Sequence, residues 1–392
     1  MKKRLWTSIF FIILTLGGSV LVSKNVEDTL VKSIAIVSAV GIDKGEEGYF
    51  VTLQVINPTS NPDTAGDEPG TTIYQQSGKT ISQAMRNISN TVSRKIFLDS
   101  AELILIGEEL AKEEGIRESL SFFLTEPETS SNIKLLITKG FSANTILKIV
   151  TPVQKVSSHR MKEILYNNEL NLGTAINEYP NKVMNALLRD IKQTVIPYIS
   201  FEGDPEIGTT KENTANSEPA VNLIIDGMAY FKKDKLAGFL EREQSKTYNA
   251  FTNSIKKTIV ETTCGEEDDG YFAVNIRKAK TKIKTTYKDG KPAFHVKHKV
   301  KGEVFESTCK QNVIEDLQVQ AEKSIKSEFR KLITKSQEEN NDFIGFLKEV
   351  YLKDPFKFDE VSKQWEQIYP SVPVTLDIDM TITNIGDVSN VP

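Results

Sequence analysis

The stretch Val374-Thr375-Leu376-Asp377-Ile378-Asp379-Met380-Thr381-Ile382-Thr383 decides the fold class. Successive strand side chains alternate, so Val374, Leu376, Ile378, Met380 and Ile382 share one face and the threonines and aspartates share the other. One apolar face and one wet face indicate an antiparallel sheet with helices packed on a single side. The class is α+β.

The segments before this strand fit the same scheme. Ile314, Leu317, Ala321, Ile325, Phe329 and Leu332 step by three or four residues, predicting an amphipathic helix over 311–337. Phe272, Val274 and Ile276 alternate, as do Phe294, Val296, Val300 and Val304. Lys288-Asp289-Gly290 lies between the two runs, and Asp-Gly favours the φ > 0 turn of a hairpin. Val221 to Phe231 and Leu236 to Leu240 read as strands around a Lys232–Lys235 turn, with a helix near 245–255 following.

The first half mixes the two periods. Residues 31–42 read as a buried strand, paired in a hairpin with the alternating run Tyr49 to Ile56; a polar loop follows from Asn57 to Gly70. Thr80-Ile81-Ser82-Gln83 fits a capping box opening a helix with Ile81, Met85, Ile88 and Val92 on one side. Leu103–Ile106 and Ile133–Thr138 read as strands, 115–124 as a helix, and Ser142 as the cap of a helix reaching Val150. Two further helices are expected near 155–167 and 173–192. Alternating strand and helix favour an α/β layer with some parallel pairing. Glu202 to Pro219 holds only Ile207 and Ala215 as apolar residues and reads as a boundary. The expected organisation is an N-terminal segment over 1–23, an α/β region of two subdomains over 24–202, a linker over 203–219 and an α+β domain over 220–392. Mixed and antiparallel sheets packed by helices make a multi-subdomain ectodomain after an N-terminal hydrophobic helix.

The N-terminus sets the compartment. Lys2, Lys3 and Arg4 precede an uncharged run from Leu5 to Val22, the pattern of an export signal. As a helix, roughly 18 residues span about 27 Å, close to a bilayer. The segment reads either as a cleaved signal peptide or as a retained anchor, with its positive end in the cytoplasm. Removing those three from the 49 basic residues leaves 46 against 53 acidic ones, a net charge of −7. That charge argues against nucleic acid as a partner.

Motifs for chemistry are sparse. The three histidines are His159, His295 and His298, and the last two fall on opposite faces of one strand. HExxH, CxxC, GxSxG and glycine-rich phosphate loops do not occur. Glu266, Glu267, Asp268 and Asp269 lack the ligand order of a calcium loop and read as a solvated turn or a weak cation site. Lys291, Lys297, Lys299 and Lys301 form a stripe that either solubilises the sheet or meets anionic headgroups. Cys264 and Cys309, brought near each other by the hairpin, read as a disulfide or as two buried thiols. No catalytic, cofactor-binding or metal-binding residue is assigned. A hydrolase with paired carboxylates in a cleft and an envelope-binding module are both open readings of these residues.

Several stretches together resemble the C-subunit family of spore germinant receptors, the Ger(x)C-type germination proteins. They are Ile34 to Lys44 with its Gly41-Ile42-Asp43 ending, Ser77-Gly78-Lys79-Thr80-Ile81 with Ala84, and Ile106-Gly107-Glu108-Glu109-Leu110-Ala111 with Gly115-Ile116. Gly227 to Gly238 (Gly-Met-Ala-Tyr-Phe-Lys-Lys-Asp-Lys-Leu-Ala-Gly) is the most specific. Trp365 with Tyr369-Pro370 and the strand from Val374 complete the set. The resemblance implies three compact mixed subdomains, no enzyme activity, no cofactor, and a place on the outer face of the spore inner membrane. It implies an A subunit with a large soluble domain and a polytopic B subunit as partners. Typical members carry a lipidated cysteine after the hydrophobic run; here Ser19 follows Leu16-Gly17-Gly18, and a serine cannot form the thioether. The resemblance therefore implies anchoring by an uncleaved helix over residues 5–22.

Overall fold

The computed structural model describes residues 33–57, 70–189, 191–265, 268–288, 290–311 and 313–385. The N-terminal segment with Ser19, most of the Asn57–Gly70 loop, and Glu266 and Glu267 lie outside the described residues.

The first half builds a sheet from β1 (Ile34–Gly45), β2 (Gly48–Ile56), β3 (Thr71–Gly78), β4 (Lys95–Phe97), β5 (Leu103–Ile106), β6 (Lys134–Thr138), β7 (Val195–Glu202) and β8 (Asn222–Ile224), joined by β9 (Met228–Lys232) and β10 (Lys235–Leu240). The strand order is β10-β9-β7-β6-β5-β1-β2-β3, with β4 against β1 and β8 against β7. The expected β1–β2 hairpin is present, antiparallel through Ile42 opposite Val51. Strands β1, β5, β6 and β7 run parallel. β5 is buried on both faces, which is why Leu103-Ile104-Leu105-Ile106 is apolar without alternation. Leu103 and Leu105 enter one core, Ile104 and Ile106 the other.

Helices α1 (Ile81–Ser89), α2 (Glu108–Glu113), α3 (Arg117–Thr125), α4 (Ala143–Lys148), α5 (Ser157–Asn167) and α6 (Pro180–Arg189) occupy the connections. The caps work as the sequence suggests, with one change. Thr80 Oγ1 accepts from Gln83 N at 3.1 Å, but the Gln83 side chain reaches back to the amide of Lys79, one residue earlier than a capping box requires. Ser142 Oγ accepts from Thr145 N at 3.1 Å. Strand β3 and helix α2 were not foreseen. The eight residues of β3, Thr-Thr-Ile-Tyr-Gln-Gln-Ser-Gly, form a polar edge strand with no fully buried position, so no alternation marks it.

The stretch expected as a linker is packed. It carries α7 (Pro205–Gly208) and α8 (Glu212–Ala215), and the buried Asn213 side chain bonds Val150 O, Val221 O and Val221 N. The first sheet also continues past it, since β9 pairs with β7 and β10 with β9.

After α9 (Arg242–Phe251), the second sheet is β11 (Thr258–Gly265), β12 (Asp268–Lys288), β13 (Lys291–Ser307) and β14 (Val374–Ile385). The hairpin centres where Asp-Gly placed it, with Lys288 opposite Lys291. Helix α10 (Ile314–Glu338) lies on the sheet and buries Leu317, Ala321, Ile325, Phe329 and Leu332. Helices α11 (Phe346–Lys353), α12 (Pro355–Ser362) and α13 (Trp365–Ile368) complete the crossover to β14. β14 pairs with β13 in parallel, not antiparallel as its alternation suggested. A sheet covered on one side gives the same period for either direction; the long helical connection is what permits the parallel return. The free edge of β14 is protected, because Glu322 and Gln318 of α10 accept from Met380 N and Ile382 N at 2.9 and 2.8 Å. One continuous core runs from Leu103, Leu105 and Leu136 through Tyr230 and Phe251 to Phe294, Phe329 and Phe346.

Candidate functional sites

Ligands of parallel sheets bind in the crevice beyond the carboxyl ends of the strands. Here the parallel pairing of β1 with β5 ends at Ile42 and Ile106, so Asp43 and Gly107 stand just beyond it, and β6 leads into Gly140-Phe141-Ser142; together these line a cleft of about 700 Å³. Asp43 is buried, and its two oxygens accept from Ala143 N at 2.7 Å and Asn144 N at 3.0 Å, across 100 residues of sequence. Burial raises its pKa and the two amides pull it partly back. A Cβ at position 107 would sit 2.3 Å from Asp43 Oδ1, so only glycine allows this approach. Glu108 accepts from Gly140 N at 2.6 Å and also pairs with Lys112. Thr138 Oγ1 accepts from Glu108 N at 3.1 Å and donates to Phe141 O at 2.5 Å. Lys44 pairs with Glu109 at 3.4 Å and with Glu113. Each of these carboxylates thus engages a backbone amide or a lysine, and the arrangement locks three strand ends to each other. Asp43→Ala should leave two buried amides without an acceptor and cost about 2–4 kcal/mol in urea unfolding, with Asp43→Asn costing less.

The histidines are dispersed. His159 Nε2 lies 3.6 Å from Glu102, which also pairs with Lys162 at 2.6 Å. His295 meets Thr375 Oγ1 at 3.0 Å on the outer face of the second sheet. His298 is buried on the inner face, 4.7 Å from the Phe329 ring. The opposite faces are as the strand period predicted. Burial depresses His298 to a pKa of about 4, well below 6.5. The imidazole is neutral in both states above pH 6.5; between 6.5 and 4 only the unfolded chain gains the proton, so stability falls as pH falls through this window. The loss reaches about 3 kcal/mol by pH 4. In urea titrations at pH 7.5 and pH 4, the wild type should lose about 3 kcal/mol more than His298→Phe between the two pH values.

The lysine stripe is complemented. Register places Lys297 beside Asp377 and Lys299 beside Asp379, with ion pairs of 2.8 and 3.2 Å. The wet aspartates of β14 therefore serve two of the four lysines, which weakens the reading of this face as a headgroup contact. Of the acidic run, Asp268 accepts from Gly270 N at 3.0 Å and Lys310 N at 2.8 Å, and those amides lower its pKa. Cys264 and Cys309 stand beside it with Cα atoms 5.6 Å apart and sulfurs at bonding distance.

One polar cluster had no signal in the sequence. Asp342 is buried and accepts from Gly345, Phe346 and Leu347 N at 2.8, 2.9 and 2.7 Å, closing the start of α11. Burial raises its pKa to about 6 against those amides. Near it Lys192, pushed down to about 8 by burial, donates to Tyr248 OH at 2.9 Å. Asn341 Nδ2 donates to Phe231 O at 3.2 Å, tying this loop to β9 of the first sheet.

Comparison with known proteins now bears on these sites. Residues 28–201 match the family model of the spore germination protein N-terminal domain, and residues 226–386 match that of the spore germination B3/GerAC-like C-terminal domain. The chain belongs to this germination-protein family. Spore germination protein KC of Bacillus subtilis strain 168 is 29% identical over 367 residues, 90% of each chain. Spore germination protein B3 of the same organism is 24% identical over 392 residues, 97% of each chain. The crystal structure of the GerBC protein shares the α+β fold, with a TM-score of 0.56 at 20% identity, covering 88% of this chain and 97% of that one. The stretches that carried the resemblance to the germination family now have physical roles. Gly41-Ile42-Asp43 and Ile106-Gly107-Glu108 build the strand-end lock, Gly227 to Gly238 forms the β9–β10 hairpin, and Trp365 and Tyr369 are buried against Phe346 and Phe294. Among the described residues no helix is long and apolar enough to cross a membrane.

Proposed function

We propose that this chain is the non-enzymatic C subunit of a nutrient germinant receptor. It sits on the extracytoplasmic face of a membrane, the spore inner membrane, held there by residues 5–22, with A and B subunits as partners. The observation that carries this reading is the match of both germination-family domains, in order, over 28–201 and 226–386. The cleft supports it, since Asp43 and Glu108 hold backbone amides and Glu109 and Glu113 hold Lys44, leaving these groups to organise strand ends rather than act on a substrate. The basic, apolar start of the sequence supports export and anchoring, and Ser19 in place of a lipobox cysteine supports an uncleaved helix.

Affinity isolation of the tagged chain from mildly solubilised spore membranes tests the partnership. A polytopic protein and a second large-domain subunit should co-purify in fixed proportion; a chain recovered alone counts against the complex. The intact mass of the recovered chain should include residues 5–22, and a mature N-terminus at or beyond Val20 would overturn the anchor.

A further inference from the structure

A second, smaller pocket of about 180 Å³ lies between α9, α10 and the inner face of the second sheet. Ile276, Val300, Ile325 and Phe329 make it largely apolar, and Ala279 sits at its partly exposed margin. At its rim Lys246 pairs with Glu243 at 2.8 Å and Glu328 with Lys331 at 2.6 Å, and Glu261 stands exposed to water at the margin. The apolar walls disfavour a charged guest, which would lose its hydration on entry. Of the buried polar side chains in the wall, Thr247 gives its hydroxyl proton to Glu243 O at 2.8 Å and Thr258 to Leu172 O at 2.6 Å, and the third is His298, 3% exposed. Its Nδ1 lies 2.8 Å from Thr281 Oγ1, and the single hydroxyl proton of Thr281 is given to Ala250 O at 2.7 Å. Thr281 must therefore accept from Nδ1, which fixes the ring proton on that nitrogen and leaves a lone pair on Nε2. Among the described residues nothing donates to Nε2. An acceptor that no protein group serves, on a buried ring facing a largely apolar pocket, offers a guest a polar anchor.

We propose that this pocket binds a small, uncharged, mostly apolar molecule through one O–H or N–H donated to His298 Nε2, with its apolar body against Phe329 and Ile325. The volume suits a single ring, since an apolar cavity of about 150 Å³ holds benzene. This site goes beyond the receptor reading and does not rest on it.

The test uses the full chain in phospholipid nanodiscs and two fluorinated probes followed by ¹⁹F NMR. 4-Fluorophenol carries the donor, and 4-fluorotoluene is its near-isostere without one. Partitioning into lipid is common to all samples and cancels between wild type and variants. Saturable binding of 4-fluorophenol is expected. His298→Phe, which keeps an aromatic ring against Phe329, should weaken it about fivefold or more and change 4-fluorotoluene binding by less than about twofold. Ala279→Phe, at the partly exposed margin, should abolish both. Should His298→Phe fail to fold, imidazole-¹⁵N-labelled wild type decides: 4-fluorophenol should move one of the three histidine Nε2 signals and 4-fluorotoluene none. No saturable binding, binding that survives Ala279→Phe, equal weakening of both probes by His298→Phe, or three unmoved Nε2 signals would each overturn the proposal.

Discussion

Asp342→Ala is expected to destabilise the protein by about 3–5 kcal/mol, seen as a lower urea midpoint with little change in slope. The carboxylate accepts three backbone amides at the start of α11, and all three are withdrawn from water. Removing the acceptor leaves those donors unmade, each costing about 1–3 kcal/mol in a buried setting. It also removes the negative charge that favours the half-buried Lys192 ammonium. Asp342→Asn keeps one oxygen and should lose about half as much. The pH dependence carries its own signature. A carboxyl raised to about 6 takes up its proton before the unfolded chain does, so this group adds stability as pH falls from 6 towards 3.8, opposite in sign to His298. The opposing windows are why the His298 test compares the wild type with His298→Phe at each pH. A loss under about 1 kcal/mol for Asp342→Ala would mean the α11 start is not held as described.

The second large effect is expected at Cys264 and Cys309. The two lie 45 residues apart in sequence, and closing such a loop in the unfolded chain contributes about 4 kcal/mol in the chain-entropy treatment. The bridge would fasten the end of β11 to the end of β13, where Thr308 N donates to Tyr271 O and Lys310 N to the Asp268 carboxylate, completing the corner. Replacing both cysteines with serine should lower stability by an amount of that order. Thiol counting under denaturing conditions should find no free thiol without reductant and two with it. Two thiols before reduction, or a double serine variant as stable as the wild type, would contradict the bridge.

Much of this fold was legible because the informative residues are apolar and regularly spaced. The runs Leu103–Ile106 and Lys134–Thr138 announce strands covered on both faces, and Leu317, Ala321, Ile325 and Phe329 announce the long helix α10. Alternation in β14 fixed which side chains are wet, and those same aspartates pair with Lys297 and Lys299. Alternation carries no direction, so the parallel pairing stayed hidden. The sites were hidden for a different reason. Asp43 meets Ala143 and Asn144 across 100 positions, and Asp342 and Lys192 converge from opposite halves of the chain. Local pattern does not encode such contacts. Two places gave a partial signal: the hairpin brought Cys264 near Cys309, and an inward strand position predicts burial of His298, but not the Thr281 hydroxyl that fixes its tautomer.

The central claim is that this chain serves a nutrient receptor in spore germination without doing chemistry itself. The most direct measurement is an in-frame deletion of its gene with the neighbouring genes intact, scoring germination of purified spores across a panel of single nutrients and their mixtures. The expected result is a normal spore yield with germination lost or strongly slowed for at least one nutrient, restored by the wild-type chain. Deletion spores that germinate like the parent on every nutrient and mixture would contradict it.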